Sequence, residues 1–96
     1  MKVLFVDDGW NDYLWWQGND RKILKRINQL IADIDRGGHE GIGKPEPLRN
    51  DLSGYWSRRI NSEHRLVYRI DESAIIHVVA CRFHYERTGR AHRKTR

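Results

Sequence analysis

An α+β fold, with two N-terminal helices packed as a hairpin on one face of a sheet, is predicted by three observations. Apolar residues recur with a helical period between residues 23 and 34, a second amphipathic pattern lies just before them, and strand-like alternation is concentrated after residue 53. Only Gly18, Asn19 and Asp20 separate the two helical patterns, so the helices are expected to pack on each other and together on the sheet. A chain of 96 residues is long enough for one such core and not for two.

Residues 2–6, KVLFV, read as a short buried strand, ended by the turn signal Asp7-Asp8-Gly9. Asp8 then caps a first helix in which Trp10, Tyr13, Leu14 and Gln17, at i, i+3, i+4 and i+7, make the inward stripe. Trp15 and Trp16 flank that stripe, and aromatic faces at helical spacing serve packing more often than stacking on a nucleobase. Asn19 or Asp20 caps the second helix, whose stripe is Ile23, Ile27, Leu30, Ile31 and Ile34, with Lys22, Lys25, Arg26, Gln29 and Asp33 elsewhere. Gly37-Gly38 ends it through a left-handed residue. From residue 39 to 52 the period disappears. Gly41, Gly43, Pro45 and Pro47 predict an irregular loop, from which Arg49 leads through Asn50 and Asp51 toward a short edge strand.

Residues 53–68, SGYWSRRINSEHRLVY, read as a β-hairpin that displays arginines. Residues 56–60 form its first strand, Asn61 and Ser62 the turn, and residues 65–70 the second strand. Leu66, Tyr68 and Ile70 share one face; Arg65, Val67 and Arg69 share the other, with Glu63 on the same side and placed to orient the Arg65 guanidinium. After the turn Asp71-Glu72-Ser73, residues 74–83 are apolar on both faces, as in a central strand. His77 is expected there as a packed, hydrogen-bonded histidine, and Cys81 as a buried structural thiol.

Charge is local. The formal net charge of +5 divides into +4 on residues 86–96 and +1 on residues 1–85. Within the latter, residues 41–69 hold Lys44, Arg49, Arg58, Arg59, Arg65 and Arg69 against three carboxylates, the footprint of a polyanion site. No zinc-type Cys/His spacing, phosphate-cradling glycine loop or internal repeat is present, so no metal or cofactor is expected. The apolar opening MKVLFV is too short for a signal peptide or a membrane span, which predicts a soluble, cytoplasmic protein with no membrane partner.

Cleavage of RNA by its own 2′-hydroxyl needs a base, an acid and a cation on the phosphorane. Glu46, held between Pro45 and Pro47, is placed to take the 2′ proton, Arg65 to stabilise the pentacoordinate phosphate, and His84 to protonate the departing 5′ oxygen. Taken singly, each also fits a blander account: a solvated loop carboxylate, a solvated hairpin arginine and an inert histidine at a strand end. Spacing does not decide whether Glu46 and His84 face each other across one phosphate.

Five runs in order carry a resemblance to the YoeB family of the RelE superfamily, from Met1 to Tyr85. They are WNDYLWWQ at 10–17, GKPEPL at 43–48, SGYWSRRI at 53–60, EHRLVY at 63–68 and ACRFHY at 80–85. The resemblance implies a mainly antiparallel sheet of about five strands carrying two helices, of the microbial ribonuclease type. It also implies a ribosome-dependent mRNA endonuclease acting in the ribosomal A site without a metal, blocked by a YefM-like antitoxin, with homodimers and with operator DNA bound only through the antitoxin. On the family's pattern the general base falls on Glu46, the phosphate-stabilising arginine on Arg65, the general acid on His84, and an RNA-positioning tyrosine on Tyr85. Basic positions at the RNA face fall on Arg49, where lysine is common, and on Arg59, with Lys44 and Arg58 beside them. Family members commonly end at the His-Tyr pair, so residues 1–85 are read as the toxin domain and 86–96 as a basic, disordered extension. The alternative function is a non-cleaving module that binds ribosome or antitoxin and acts as a transcriptional corepressor.

Overall fold

The computed structural model describes residues 1–84. Its elements run β1 (Lys2–Phe5), α1 (Asp7–Asn19), α2 (Arg21–Gly37), β2 (Glu46–Pro47), a 3-10 turn (Asn50–Leu52), β3 (Trp56–Arg59), β4 (Arg65–Ile70) and β5 (Ile75–Ala80). The sheet order is β1-β5-β4-β3-β2, with every pair antiparallel except β1 and β5, which are parallel. The mainly antiparallel α+β architecture is therefore as expected, and the parallel edge arises because the helical hairpin carries the chain away from β1 to the far edge of the sheet.

The second helix matches its sequence pattern. Asp20 caps it, its Oδ1 accepting from the amides of Lys22 and Ile23, and Gly38 closes it at φ 64°. Ile27, Leu30 and Ile34 are fully buried against Leu66, Tyr68, Ile76 and Val78.

The first helix departs from expectation in its start and its rotation. It begins at Asp7, behind an extended Val6 with no side-chain cap, so Asp8 is not the cap. Its inward face is Gly9, Asp12 and Trp16, whereas Trp10, Leu14 and Trp15 are among the exposed apolar residues. Contact with β5 sets this rotation. A β-carbon on Gly9 would lie 2.1 Å from the Val78 carbonyl oxygen, so only glycine lets the helix approach so closely. Where β5 ends, the Cys81 amide donates to Asp12 (3.0 Å) and the Cys81 carbonyl accepts from Trp16 Nε1 (2.7 Å). A polar residue on the buried side is thus required to satisfy backbone groups beyond the ladder.

Two further differences concern strands. The edge strand is Glu46–Pro47 itself, pairing with Trp56 and Ser57, and it precedes Arg49; residues 50–52 turn as a 3-10 helix instead. The strand predicted over residues 74–83 spans only Ile75–Ala80, and within it the register shifts opposite Val67 and Tyr68. Past that bulge Ala80 joins a second cluster with Leu48 and Val67 on the opposite face, while Cys81 packs beneath the helices. Cys81 is buried, its thiol donating to the Gly9 carbonyl at 3.7 Å, and His77 bonds Asp71 at 2.7 Å, both as expected. No helix among the described residues is long and apolar enough to cross a membrane.

Candidate active site on the face opposite the helices

Register determines which side chains share a face. Glu46 is opposite Ser57, Ser57 opposite Val67 and Val67 opposite Ala80, forming one row across four strands. In the neighbouring row Arg59 lies directly opposite Arg65. Cross-strand partners point to the same side, and Val67 and Ala80 belong to the cluster away from the helices. Glu46, Arg59 and Arg65 therefore stand together on that face. With strands about 4.8 Å apart and rows roughly 7 Å apart, long side chains on these positions can reach a single phosphodiester.

The carboxylate is held by its backbone. The Arg59 amide donates to the Gly43 carbonyl at 2.6 Å and the Leu48 amide to the Tyr55 carbonyl at 2.9 Å, so both ends of the Glu46–Pro47 strand are tied. Arg65 is anchored at one corner of its fork, where Nη1 donates to the carbonyls of Asn61 (2.9 Å) and His64 (3.1 Å). His84 is exposed and follows a residue tied to the same strand, since the Arg65 amide donates to the Phe83 carbonyl at 3.1 Å. The chain thus delivers His84 beside the start of β4. Lys44 and Arg49 are exposed on either side of β2. Tyr85 and residues 86–96 lie outside the described residues.

One assignment is corrected. Arg58 is not on the displayed face: it is fully buried on the helix side. Its guanidinium forms an ion pair with Asp33 (2.5 Å) and donates to the carbonyls of Gly38 (2.7 Å), Glu40 (3.2 Å) and Ile42 (3.1 Å), bracing the loop that leads to β2. In alternation with Arg59, only one of the two arginines can face outward. Arg58 holds the Asp33 carboxyl below its ordinary range by hydrogen bonding, helped by the Ile42 amide. Burial lowers the pKa of the neighbouring His39, with a further contribution from Arg58. Glu63 precedes the strand, and its carboxylate lies 3.8 Å from His64 Nε2.

No period or motif in the sequence marks Asp12, Asp33 or His64 as functional. Asp33 lies three residues from Leu30 and one from Ile34, at the margin of the buried stripe, a position that signals a half-buried carboxylate only when its partner is known. His64 follows a turn and has no periodic neighbour.

Fold and site place the molecule among small α+β proteins with a charged, helix-free sheet face, and comparison with known proteins specifies the class. A sequence model described as "YoeB-like toxin of bacterial type II toxin-antitoxin system" matches residues 5–85. The Toxin YoeB of Synechocystis sp. is 61% identical over 87 residues, covering 91% of this chain and 100% of the relative. Among solved structures, a YoeB/ParE toxin from Agrobacterium tumefaciens superposes with a TM-score of 0.85 at 46% identity, over 88% of this chain and 100% of that one. Two from Staphylococcus aureus, a YoeB-YefM complex and a YoeB dimer, give 0.82 at 48% and 49% identity, each over 88% of this chain and 98% of that one. The class is that of toxins from bacterial type II toxin–antitoxin systems. Within it, the chain belongs to the YoeB-like family.

Proposed function

We propose that this toxin is a ribosome-dependent mRNA endoribonuclease that cuts in the A site by general acid–base catalysis without a metal. Glu46 removes the 2′-hydroxyl proton, and the 2′ oxygen attacks the adjacent phosphorus. Arg65 stabilises the charge on the phosphorane, and the P–O5′ bond breaks as His84 gives its proton to the 5′ oxygen. The products are a 2′,3′-cyclic phosphate and a 5′-hydroxyl. Tyr85 positions the RNA, and Arg49, Arg59 and Lys44 bind its backbone.

The observation that carries this reading is the juxtaposition of Arg59 and Arg65. Like charges placed directly opposite each other on a sheet oppose its formation. An anion between them relieves that repulsion, and Glu46 stands one row away. Residues 1–85 form the toxin unit, and residues 86–96 add phosphate contacts. A YefM-like antitoxin is the cognate inhibitor, a partner matching the YefM found in complex with the S. aureus relative, and operator DNA is bound only through it. The exposed Leu4, Trp10 and Leu14 at the β1–α1 side are consistent with a homodimer like that of the S. aureus relative.

Primer extension on a defined mRNA, in reconstituted translation, tests the enzyme. A cut confined to the A-site codon, dependent on ribosomes and lost in Glu46→Ala and His84→Ala, is expected. Cleavage surviving both substitutions would refute the site; ribosome binding by the parent without any cut would favour the binding-module function.

A further inference from the structure

We infer that His64 is a positioning residue, which sets the backbone from which the general acid His84 projects; the inference rests on the assignment of His84 and Arg65 made above. His64 is buried, with 8% of its surface exposed. Its ring meets Trp16 of α1 edge-on, with centroids 4.8 Å apart at 83°, and lies 5.9 Å from the ring of Phe83. Nδ1 accepts the Phe83 amide hydrogen at 2.7 Å. Nδ1 is therefore unprotonated, and the ring proton sits on Nε2, 3.8 Å from Glu63 Oε1.

Phe83 needs such a partner. Its φ is 69°, a left-handed conformation that a bulky residue adopts only where its surroundings impose it. The imposition comes from consecutive residues: His64 takes the Phe83 amide, and the Arg65 amide takes the Phe83 carbonyl. Both backbone polar groups of the residue before His84 are thus tied to the residue that precedes Arg65 and to Arg65 itself. Two residues upstream, Asp12 and Trp16 hold both backbone polar groups of Cys81. A segment held in this way gives His84 a fixed origin relative to the Arg65 strand. Loss of the His64 acceptor leaves a half-buried amide without that bond and lets Phe83 relax from its left-handed conformation, moving His84 away from the phosphate.

The test uses two variants of the full chain. His64→Phe keeps an aromatic ring against Trp16 and removes the acceptor; His64→Asn places its side-chain oxygen near the position of Nδ1 and restores it. In single-turnover cleavage on programmed ribosomes, His64→Phe should slow the cutting step on the order of 100-fold, as misplacement of a catalytic group by about 1 Å does. The ribosome concentration giving half-maximal rate should not change, and His64→Asn should recover most of the rate. Proton–nitrogen NMR of the free proteins reads the bond itself: the Phe83 and Arg65 amide resonances should shift in His64→Phe and return toward the parent's in His64→Asn. Unshifted amides in His64→Phe would overturn the inference, as would cleavage by His64→Phe at the parental rate or a His64→Asn variant that regains the resonances and not the rate. A parent protein that fails to cut would instead overturn the proposed function, and the NMR series would still decide whether His64 sets the Phe83 backbone.

Discussion

At the scale of single residues, the structure separates two neighbouring arginines into unlike roles. Arg59 is exposed beside Arg65, while Arg58 is buried with five hydrogen-bond partners that include Asp33 and Tyr68. Arg58→Ala is expected to lower stability by roughly 3 kcal/mol, the scale for removing one partner of a buried ion pair, read as a fall in thermal midpoint. Arg58→Lys should not restore it, because an ammonium cannot present a planar fork to a carboxylate and three carbonyls. The pH dependence follows from the same pair. The Asp33 carboxyl titrates below its ordinary value of 3.8, as does Asp71 through its bond to His77. A carboxyl whose folded pKa is depressed contributes stability that is complete above its unfolded pKa and is lost as pH falls through the folded one. Thermal melts from pH 6 downward should therefore show a steep loss below about pH 4 in the parent, and a shallower one in Asp33→Asn.

Among the elements, the first helix shows how a packing contact overrides a local preference. Glycine inside a helix ordinarily costs about 1 kcal/mol relative to alanine, so helix propensity alone makes Gly9→Ala stabilising. The β-carbon, however, would fall 2.1 Å from a backbone oxygen of β5, and backbone cannot yield as a side-chain tip does. Gly9→Ala is expected to destabilise by about 1–3 kcal/mol, with α1 displaced from β5. Gly18, in the same helix, has nothing beyond its own helix backbone within 4 Å of the equivalent position, and Gly18→Ala should stabilise by about 0.5–1 kcal/mol. Chemical denaturation of both variants checks the pair; equal signs would count against the close approach of α1 to β5. The same contact explains the helix's inward face. Glycine and aspartate are not apolar, so the apolar stripe in the sequence points instead to Trp10 and Leu14, which the structure leaves exposed.

On the scale of the whole molecule, charge is divided unevenly between the two faces of the sheet. The helix side buries its arginine, and the opposite face presents Arg59 and Arg65, with Lys44 and Arg49 exposed nearby. Residues 87–96 add five Lys or Arg. Each phosphate neutralised on single-stranded RNA steepens the fall of log K with log salt by about 0.7. Deleting residues 87–96 should weaken ribosome binding at low salt and flatten that dependence, measured by filter binding across a salt series; identical slopes would leave the extension without a role in binding.

The sequence by itself determined the two helices, the hairpin strands and the order of the elements, because periods of 3.6 and 2 with glycine and aspartate punctuation are local properties. It also named Glu46, Arg65 and His84 by residue type, and the motifs around them pointed to the family. Tertiary structure decided what depends on partners distant in the chain. The burial of Arg58 depends on Asp33, 25 residues away, and the rotation of α1 on Val78 and Cys81, 69 residues from Gly9 and Asp12 respectively. The edge position of Glu46 depends on Ser57, and the left-handed Phe83 on His64. Such contacts leave no period in the sequence. They arise because buried backbone and charged groups must each find a partner, and only the folded chain determines which partner is near.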